Sequence, residues 1–298
     1  MNNNSSRMNN TTGLPEDTTR LPNDFRIALL VLYTFIFLAG TLNVLLMSCM
    51  LRVQSRLSFT KVSVINLIAV HAFFLLTVPF RIYYYTAGTW VLGIDFCKIV
   101  SLMIHAHMYL AFIFYVILLI VRFLENCEQQ HTLEFHRLLH AFIASATIWL
   151  ITFGSVFPAT LANYGTLQND STHCFHFNKE IKIPAVKILN YIICILVILI
   201  WCVLALFQVY FLLFVNKTFG KSIYQRQEFW AQIKNVVFLS VMFFCFVPYQ
   251  GFRVYFISNF DTKINNINEV FLAVTAFSCF DMIVFAGRDI CKLINSKR

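Results

Sequence analysis

The stretch that decides the fold runs Cys97-Lys-Ile-Val-Ser-Leu-Met-Ile-His105-Ala-His107-Met-Tyr109-Leu-Ala111-Phe-Ile-Phe-Tyr115-Val-Ile-Leu-Leu-Ile-Val121-Arg122-Phe123. No Asp, Glu, Lys or Arg interrupts it between Lys98 and Arg122. A helix rises about 1.5 Å per residue, so Cys97 and Arg122 stand roughly 37 Å apart. The hydrocarbon core of a bilayer is about 30 Å thick. The stretch therefore reads as one membrane span, with Cys97 at one face and Arg122 at the other.

Working outward, the whole chain has the same character. Apolar residues make up 59% of it, charged residues 12%, and Phe alone numbers 33. Soluble domains average about 45–50% apolar and about 25% charged, so this is an integral membrane protein. Its 298 residues accommodate about seven spans of roughly 20–25 residues. Seven apolar runs are found, at 27–51, 60–84, 97–124, 138–161, 185–215, 230–257 and 267–286. The expected architecture is all-α, a seven-transmembrane helix bundle over 26–287 with a short amphipathic C-terminal helix. The net charge of +9 does not indicate nucleic acid as a partner, because Lys and Arg cluster near the run ends, where their heads reach lipid headgroups.

The flanks suggest an orientation. Residues 1–25 are polar, and Asn3, Asn4, Asn9 and Asn10 each begin an Asn-x-Ser/Thr sequon, as does Asn169. These are expected glycosylation sites on a disordered extracellular tail and an extracellular loop. Lys and Arg divide almost evenly between the two sides, so the sequons set the N-terminus outside. No signal-peptide pattern precedes the first run, which would act as an uncleaved anchor. Over 288–298, Ile290, Leu293 and Ile294 share one side among basic residues, as in a helix lying on membrane lipids, with Cys291 a candidate for palmitoylation.

The nine cysteines include no Cys-x-x-Cys. Cys49, Cys194, Cys202, Cys245 and Cys279 lie in apolar runs and read as small packing residues. No metal site is expected, and nothing in the chain calls for a cofactor.

Every run but the fifth also carries a mark. The first has Gly40-Thr-Leu-Asn43 and the second Asn66-Leu-Ile-Ala-Val-His71. Trp90 and Gly93 precede Cys97, and the fourth run has Trp149 and Pro158. The sixth reads Cys245-Phe246-Val-Pro248-Tyr249, and the seventh Ser278-Cys279-Phe-Asp281-Met282-Ile-Val-Phe285. In order and at these depths, the marks resemble those of a rhodopsin-like (class A) G-protein-coupled receptor. Phe246, Asp281 and Arg253 point towards orphan receptors of its purinergic-receptor-like branch. The resemblance implies a Cys97–Cys174 disulfide, which fits two cysteines assigned to oxidising surroundings. It also implies a heterotrimeric G protein facing Arg122, an activation motif of Phe246, Pro248 and Phe285, and a plasma-membrane location.

Departures from the family pattern bear on mechanism. Val121-Arg122-Phe123 lacks the acidic residue that restrains the arginine in relatives; Glu228 stands where a second restraining carboxylate is found. Either Arg122 and Glu228 pair at rest, or the two are solvated apart. His71 replaces the aspartate that, with the residue matching Asp281, helps hold sodium in relatives, and Ala111 removes a hydroxyl. The expectation is a buried switch of Asn43, His71 and Asp281, with a His71–Asp281 hydrogen bond and weak sodium binding. Met282 and Phe285 replace a proline and a tyrosine, and the fifth run has no proline, which alters three hinges.

Ile104 stands where amine receptors keep aspartate, and the seventh run has no lysine for a retinal link. Arg81, His105, Tyr109, Lys187, Tyr249, Gln250 and Arg253 instead suggest a pocket for an anionic extracellular ligand, an acidic lipid or a nucleotide among them. The plainer reading gives Arg81 and Arg253 to headgroups, or to Asp261 and Glu269. His173 and His176 raise proton sensing as a minor reading. The competing function is a seven-helix scavenger or scaffold that binds without signalling. Transporter repeats, and hydrolase motifs such as His-Glu-x-x-His or Gly-x-Ser-x-Gly, are not found, so an enzyme is not expected.

Overall fold

The computed structural model describes residues 23–53, 59–127, 134–163, 174–175, 183–219, 227–259 and 262–280. The sequons at Asn3, Asn4, Asn9, Asn10 and Asn169 lie outside these residues, as do His173, His176, Asp261, Asp281, Met282, Phe285 and Cys291.

All described elements are helical. Among the described residues, six helical stretches are long and apolar enough to cross a membrane: Asn23–Arg52, Thr60–Ala87, Ile94–Phe123, Leu138–Ala162, Pro184–Thr218 and Phe229–Ser258. Helices satisfy their own backbone hydrogen bonds, as a span without water requires. The seventh run begins as a helix at Thr262, and its end lies beyond the described residues. Large apolar side chains cover the outside: Leu150, Leu206 and Phe244 are 72%, 71% and 67% exposed. So much bare apolar surface suits lipid and not water.

The helices are α1 (Asn23–Val53), α2 (Phe59–Leu75), α3 (Val78–Ala87), α4 (Ile94–Cys127), α5 (Glu134–Ile151), α6 (Phe157–Asn163), α7 (Pro184–Phe219), α8 (Gln227–Ser258) and α9 (Thr262–Thr275). Three of the apolar runs are not single regular α-helices. The second divides into α2 and α3 because Pro79 has no N–H and sits in the first turn of a new helix, where none is needed. Thr77 Oγ1 donates to Phe74 O at 2.7 Å, satisfying a carbonyl at the break. The fourth widens into a π turn at Thr152–Val156 between α5 and α6, with Phe157 N–H donating to Thr152 O five residues back. Pro158 follows directly, and a wider turn relieves the clash of its ring with the carbonyl of Gly154. The seventh tightens from α9 into a 3₁₀ turn at Ala276–Phe280.

The buried core centres on α4, where Ile104, Ala111, Tyr115, Leu118 and Leu119 are fully buried. At Gly40, α1 and α2 approach so closely that an added Cβ would meet Leu75 Cδ2 at 3.0 Å. Asn66 and Trp149 meet in space: Trp149 Nε1 donates to Asn66 Oδ1 at 2.8 Å, and Asn66 Nδ2 to Ser145 Oγ at 2.8 Å. That pins the fourth span to α2. Trp90 Nε1 donates to Gly93 O at 2.7 Å, closing the turn between α3 and α4, where Gly93 adopts a φ of +84°. A disulfide joins Cys97 at the start of α4 to Cys174, with Cα atoms 5.8 Å apart.

Candidate functional site

Polar residues occur in three layers along α4. In the layer nearest Cys97, Arg81 of α3 is 1% exposed. Its Nη1 donates to Tyr33 Oη at 3.3 Å and its Nη2 to Val100 O at 3.2 Å. Glu269 Oε2 lies 3.8 Å from Nη1, and the guanidinium stands 4.2 Å from the centre of the Phe175 ring. A buried guanidinium is tolerated only with such partners. Arg81 thus ties α1, α3, α4 and α9 to the residue after Cys174. It is not among the residues lining the adjacent cavity; it braces the wall from behind.

That cavity has a volume of about 600 Å³. Its polar lining includes His105 and Tyr109 of α4, Asn190 of α7, Arg253 of α8, and Asn268 and Glu269 of α9. Arg253 Nη1 donates to Asn268 Oδ1 at 3.3 Å, and His105 Nδ1 lies 3.1 Å from Ser101 O. The fourth span contributes Ile148, Ile151 and Val156 beside the π turn, together with Thr152 and Thr160. Ile151 and Val156 are 55% and 54% exposed on the outer surface. Two residues of the cavity wall thus also belong to the exposed face of the fourth span. Of the residues expected in a pocket, His105, Tyr109 and Arg253 line it. Arg81, Lys187, Tyr249 and Gln250 do not: Tyr249 and Gln250 are buried, Gln250 Nε2 lying 3.8 Å from Met108 Sδ, and Lys187 Nζ stands 6.0 Å from the Tyr191 ring centre.

In the middle layer, His71 Nδ1 of α2 lies 2.9 Å from His107 Nε2 of α4. Cys279 Sγ, in the 3₁₀ turn, is 3.4 Å from the first nitrogen and 3.5 Å from the second. The expected partner of His71, Asp281, falls outside the described residues. Asn43 Nδ2 donates to Cys279 O, and Tyr115 Oη donates to Ser278 O at 3.2 Å. Neighbouring carbonyls of the turn thus accept from α1 and α4. Phe246 is fully buried and meets Phe112 edge-on, its ring centre 5.9 Å away, with Tyr115 at 6.1 Å. Pro248 lies inside α8, two residues after Phe246. Sequence reading assigned Cys279 to packing and missed His107 as a neighbour of His71. The available signal was His107 one turn before Ala111 on α4.

At the far end, Arg122 Nη1 donates to Asn235 Oδ1 of α8 at 3.1 Å, and its guanidinium stands 5.2 Å from the Phe238 ring centre. Asn235 Nδ2 reaches Gln232 Oε1 at 3.4 Å, which also accepts from Gln208 Nε2 of α7 at 3.0 Å. Asn235, Gln232 and Gln208 are each no more than 2% exposed. This amide chain was not foreseen. Glu228 belongs to α8, two turns before Asn235, but its side chain lies outside the described ones.

Comparison with known proteins bears on this arrangement. Residues 42–283 match the family described as 7 transmembrane receptor (rhodopsin family). The chain is 42% identical over 264 residues to Probable G-protein coupled receptor 141 of Homo sapiens, covering 86% of this chain and 87% of the relative. It is 24% identical over 300 residues to Probable G-protein coupled receptor 34 of Mus musculus, covering 93% and 78%. Cysteinyl leukotriene receptor 2 of Homo sapiens is 27% identical over 279 residues, covering 87% and 78%.

Proposed function

The chain belongs to the rhodopsin family of seven-transmembrane receptors and is a multi-pass G-protein-coupled receptor; on that premise we propose that an acidic amphipathic ligand activates it and a heterotrimeric G protein reads it out. The N-terminus lies outside the plasma membrane, so the cavity is reached from the outer side and Arg122 faces the G protein.

The observation that carries this reading is a cavity whose lining combines charged residues with an apolar stretch of the fourth span. Arg253 in that lining offers a guanidinium that pairs with carboxylate or phosphate. The apolar stretch at Ile151 and Val156 offers a hydrocarbon chain a route between the cavity and the bilayer. A nucleotide would use the first and waste the second; a lipid acid uses both. One relative is by name a receptor for cysteinyl leukotrienes.

The test compares long-chain lipid acids with their methyl esters and with nucleotides, reading nucleotide exchange on a panel of G proteins. The acids should activate, the esters should be at least about tenfold weaker, and Arg253→Ala should remove that difference. Val156→Trp, which narrows the cavity at the apolar stretch, should weaken the acids at unchanged surface expression. Equal potency of acid and ester, or activation by nucleotides alone, would sink the proposed ligand class. Ligand binding without exchange on any G protein would leave a scavenger as the better reading.

A further inference from the structure

Two imidazoles and a thiol converge in the middle of the bundle, from three different spans. Their facing atoms form a triangle with edges of 2.9, 3.4 and 3.5 Å. His71 and Cys279 are fully buried and His107 is 1% exposed. The ring of Phe74 stacks on His107 with centres 4.4 Å apart, which holds the imidazole plane towards the other two donors. From these juxtapositions we propose that His71, His107 and Cys279 form a binding site for a thiophilic d¹⁰ metal ion, Zn²⁺ or Cu⁺.

The distances support coordination. Zinc bonds imidazole nitrogen at about 2.0–2.1 Å and thiolate sulfur at about 2.3 Å. At tetrahedral angles those lengths separate two nitrogens by about 3.4 Å, and a nitrogen from the sulfur by about 3.6 Å. Both nitrogen–sulfur edges already lie close to this, and the histidines need to part by about half an ångström. Side-chain rotation supplies that much. A water molecule would complete a zinc site, whereas Cu⁺ is satisfied by three donors.

The donor set also selects the ion. Imidazole nitrogen and thiolate sulfur favour Zn²⁺ and Cu⁺ and serve Na⁺, Mg²⁺ and Ca²⁺ poorly, since those ions take oxygen. Binding converts the Cys279 thiol to a thiolate: the metal–sulfur bond forms as the S–H bond breaks, and the proton leaves to solvent. A thiolate with Cu⁺ is neutral overall and with Zn²⁺ carries one positive charge, so burial in the bilayer favours copper on charge alone. Either ion would fasten α2, α4 and the 3₁₀ turn after α9 together, midway between the ligand cavity and Arg122. The metal would therefore act on the receptor as an internal staple.

The test uses the full chain in detergent, purified through a tag free of histidine and cysteine and stripped with a chelator. Unfolding temperature is followed while Zn²⁺, or Cu⁺ kept reduced by ascorbate, is added, with Na⁺, Mg²⁺ and Ca²⁺ as comparison arms. At a hundredfold excess over the dissociation constant, at least one thiophilic ion should raise it by about 5 °C or more. Zn²⁺ acting identifies zinc; Cu⁺ acting alone identifies copper. Cys279→Ser and His107→Gln should each abolish the shift. Should either variant fail to fold, Co²⁺ added to the parent gives a second readout, a thiolate-to-cobalt absorption band in the near ultraviolet. The band should survive Cys49→Ala with Cys202→Ala, the exposed free cysteines among the described residues. A shift that persists in Cys279→Ser, or no shift in any arm together with no cobalt band, overturns the proposal.

Discussion

Arg122 donates to Asn235 Oδ1 at 3.1 Å, so the arginine at the end of α4 is held across the bundle by an uncharged amide. Asn235 is held in turn by Gln232, and Gln232 by Gln208. The contact joins three helices.

Hydrogen bonds to a charged group contribute about 1.5–3 kcal/mol, so removing this one should loosen α8 from α4. Asn235→Ala is expected to raise basal G-protein activation several-fold at matched surface levels, measured by nucleotide exchange. Arg122→Ala should abolish that signal. If Glu228→Ala raises it and Asn235→Ala does not, the carboxylate and not the amide restrains Arg122.

Arg81 and Glu269 face each other at 3.8 Å inside the Cys97 end of the bundle. Truncating one member of a buried charge pair strands the other, at a cost of about 3–5 kcal/mol. Glu269→Ala should lower the unfolding temperature of the purified receptor markedly. Arg81→Met with Glu269→Met should recover much of it, because two apolar side chains leave no buried charge. A double variant as unstable as the single would show that the wall depends on more than this pair.

The Cys97–Cys174 bridge closes a separation of 77 residues and carries Phe175 onto the Arg81 guanidinium. Cys97→Ser is expected to cost about 2–4 kcal/mol and to reduce surface expression. Thermal unfolding of the purified variant beside the parent checks this. An unchanged transition would mean that packing of Phe175 alone holds the segment.

Sodium offers a further check. The donors that His71, His107 and Cys279 bring together are nitrogen and sulfur, and Ala111 contributes no side-chain oxygen. Exchanging NaCl for KCl at constant ionic strength should leave the unfolding temperature unchanged within about 1 °C, since sodium takes oxygen ligands. A clear rise specific to sodium would contradict this.

The sequence by itself determined that the chain crosses a membrane, because hydrophobicity over about 20 residues is a local property that survives in any helix. It also determined family membership, since Asn43, Asn66, Cys97, Arg122, Trp149 and Pro248 stand at set depths along five of the runs. Local chemistry left further signs that went unread: Pro79 and Pro158 sit where the second and fourth spans break their regular turns. Tertiary structure alone decided the partners. Whether Arg122 meets Asn235, whether His71 meets His107 and Cys279, and whether Arg81 faces a ligand or braces a wall all depend on how each helix is rotated and where it crosses its neighbours. A rotation of one residue, about 100°, turns a side chain from interior to lipid. That angle is set by the packing of the whole bundle, so no single run could encode it.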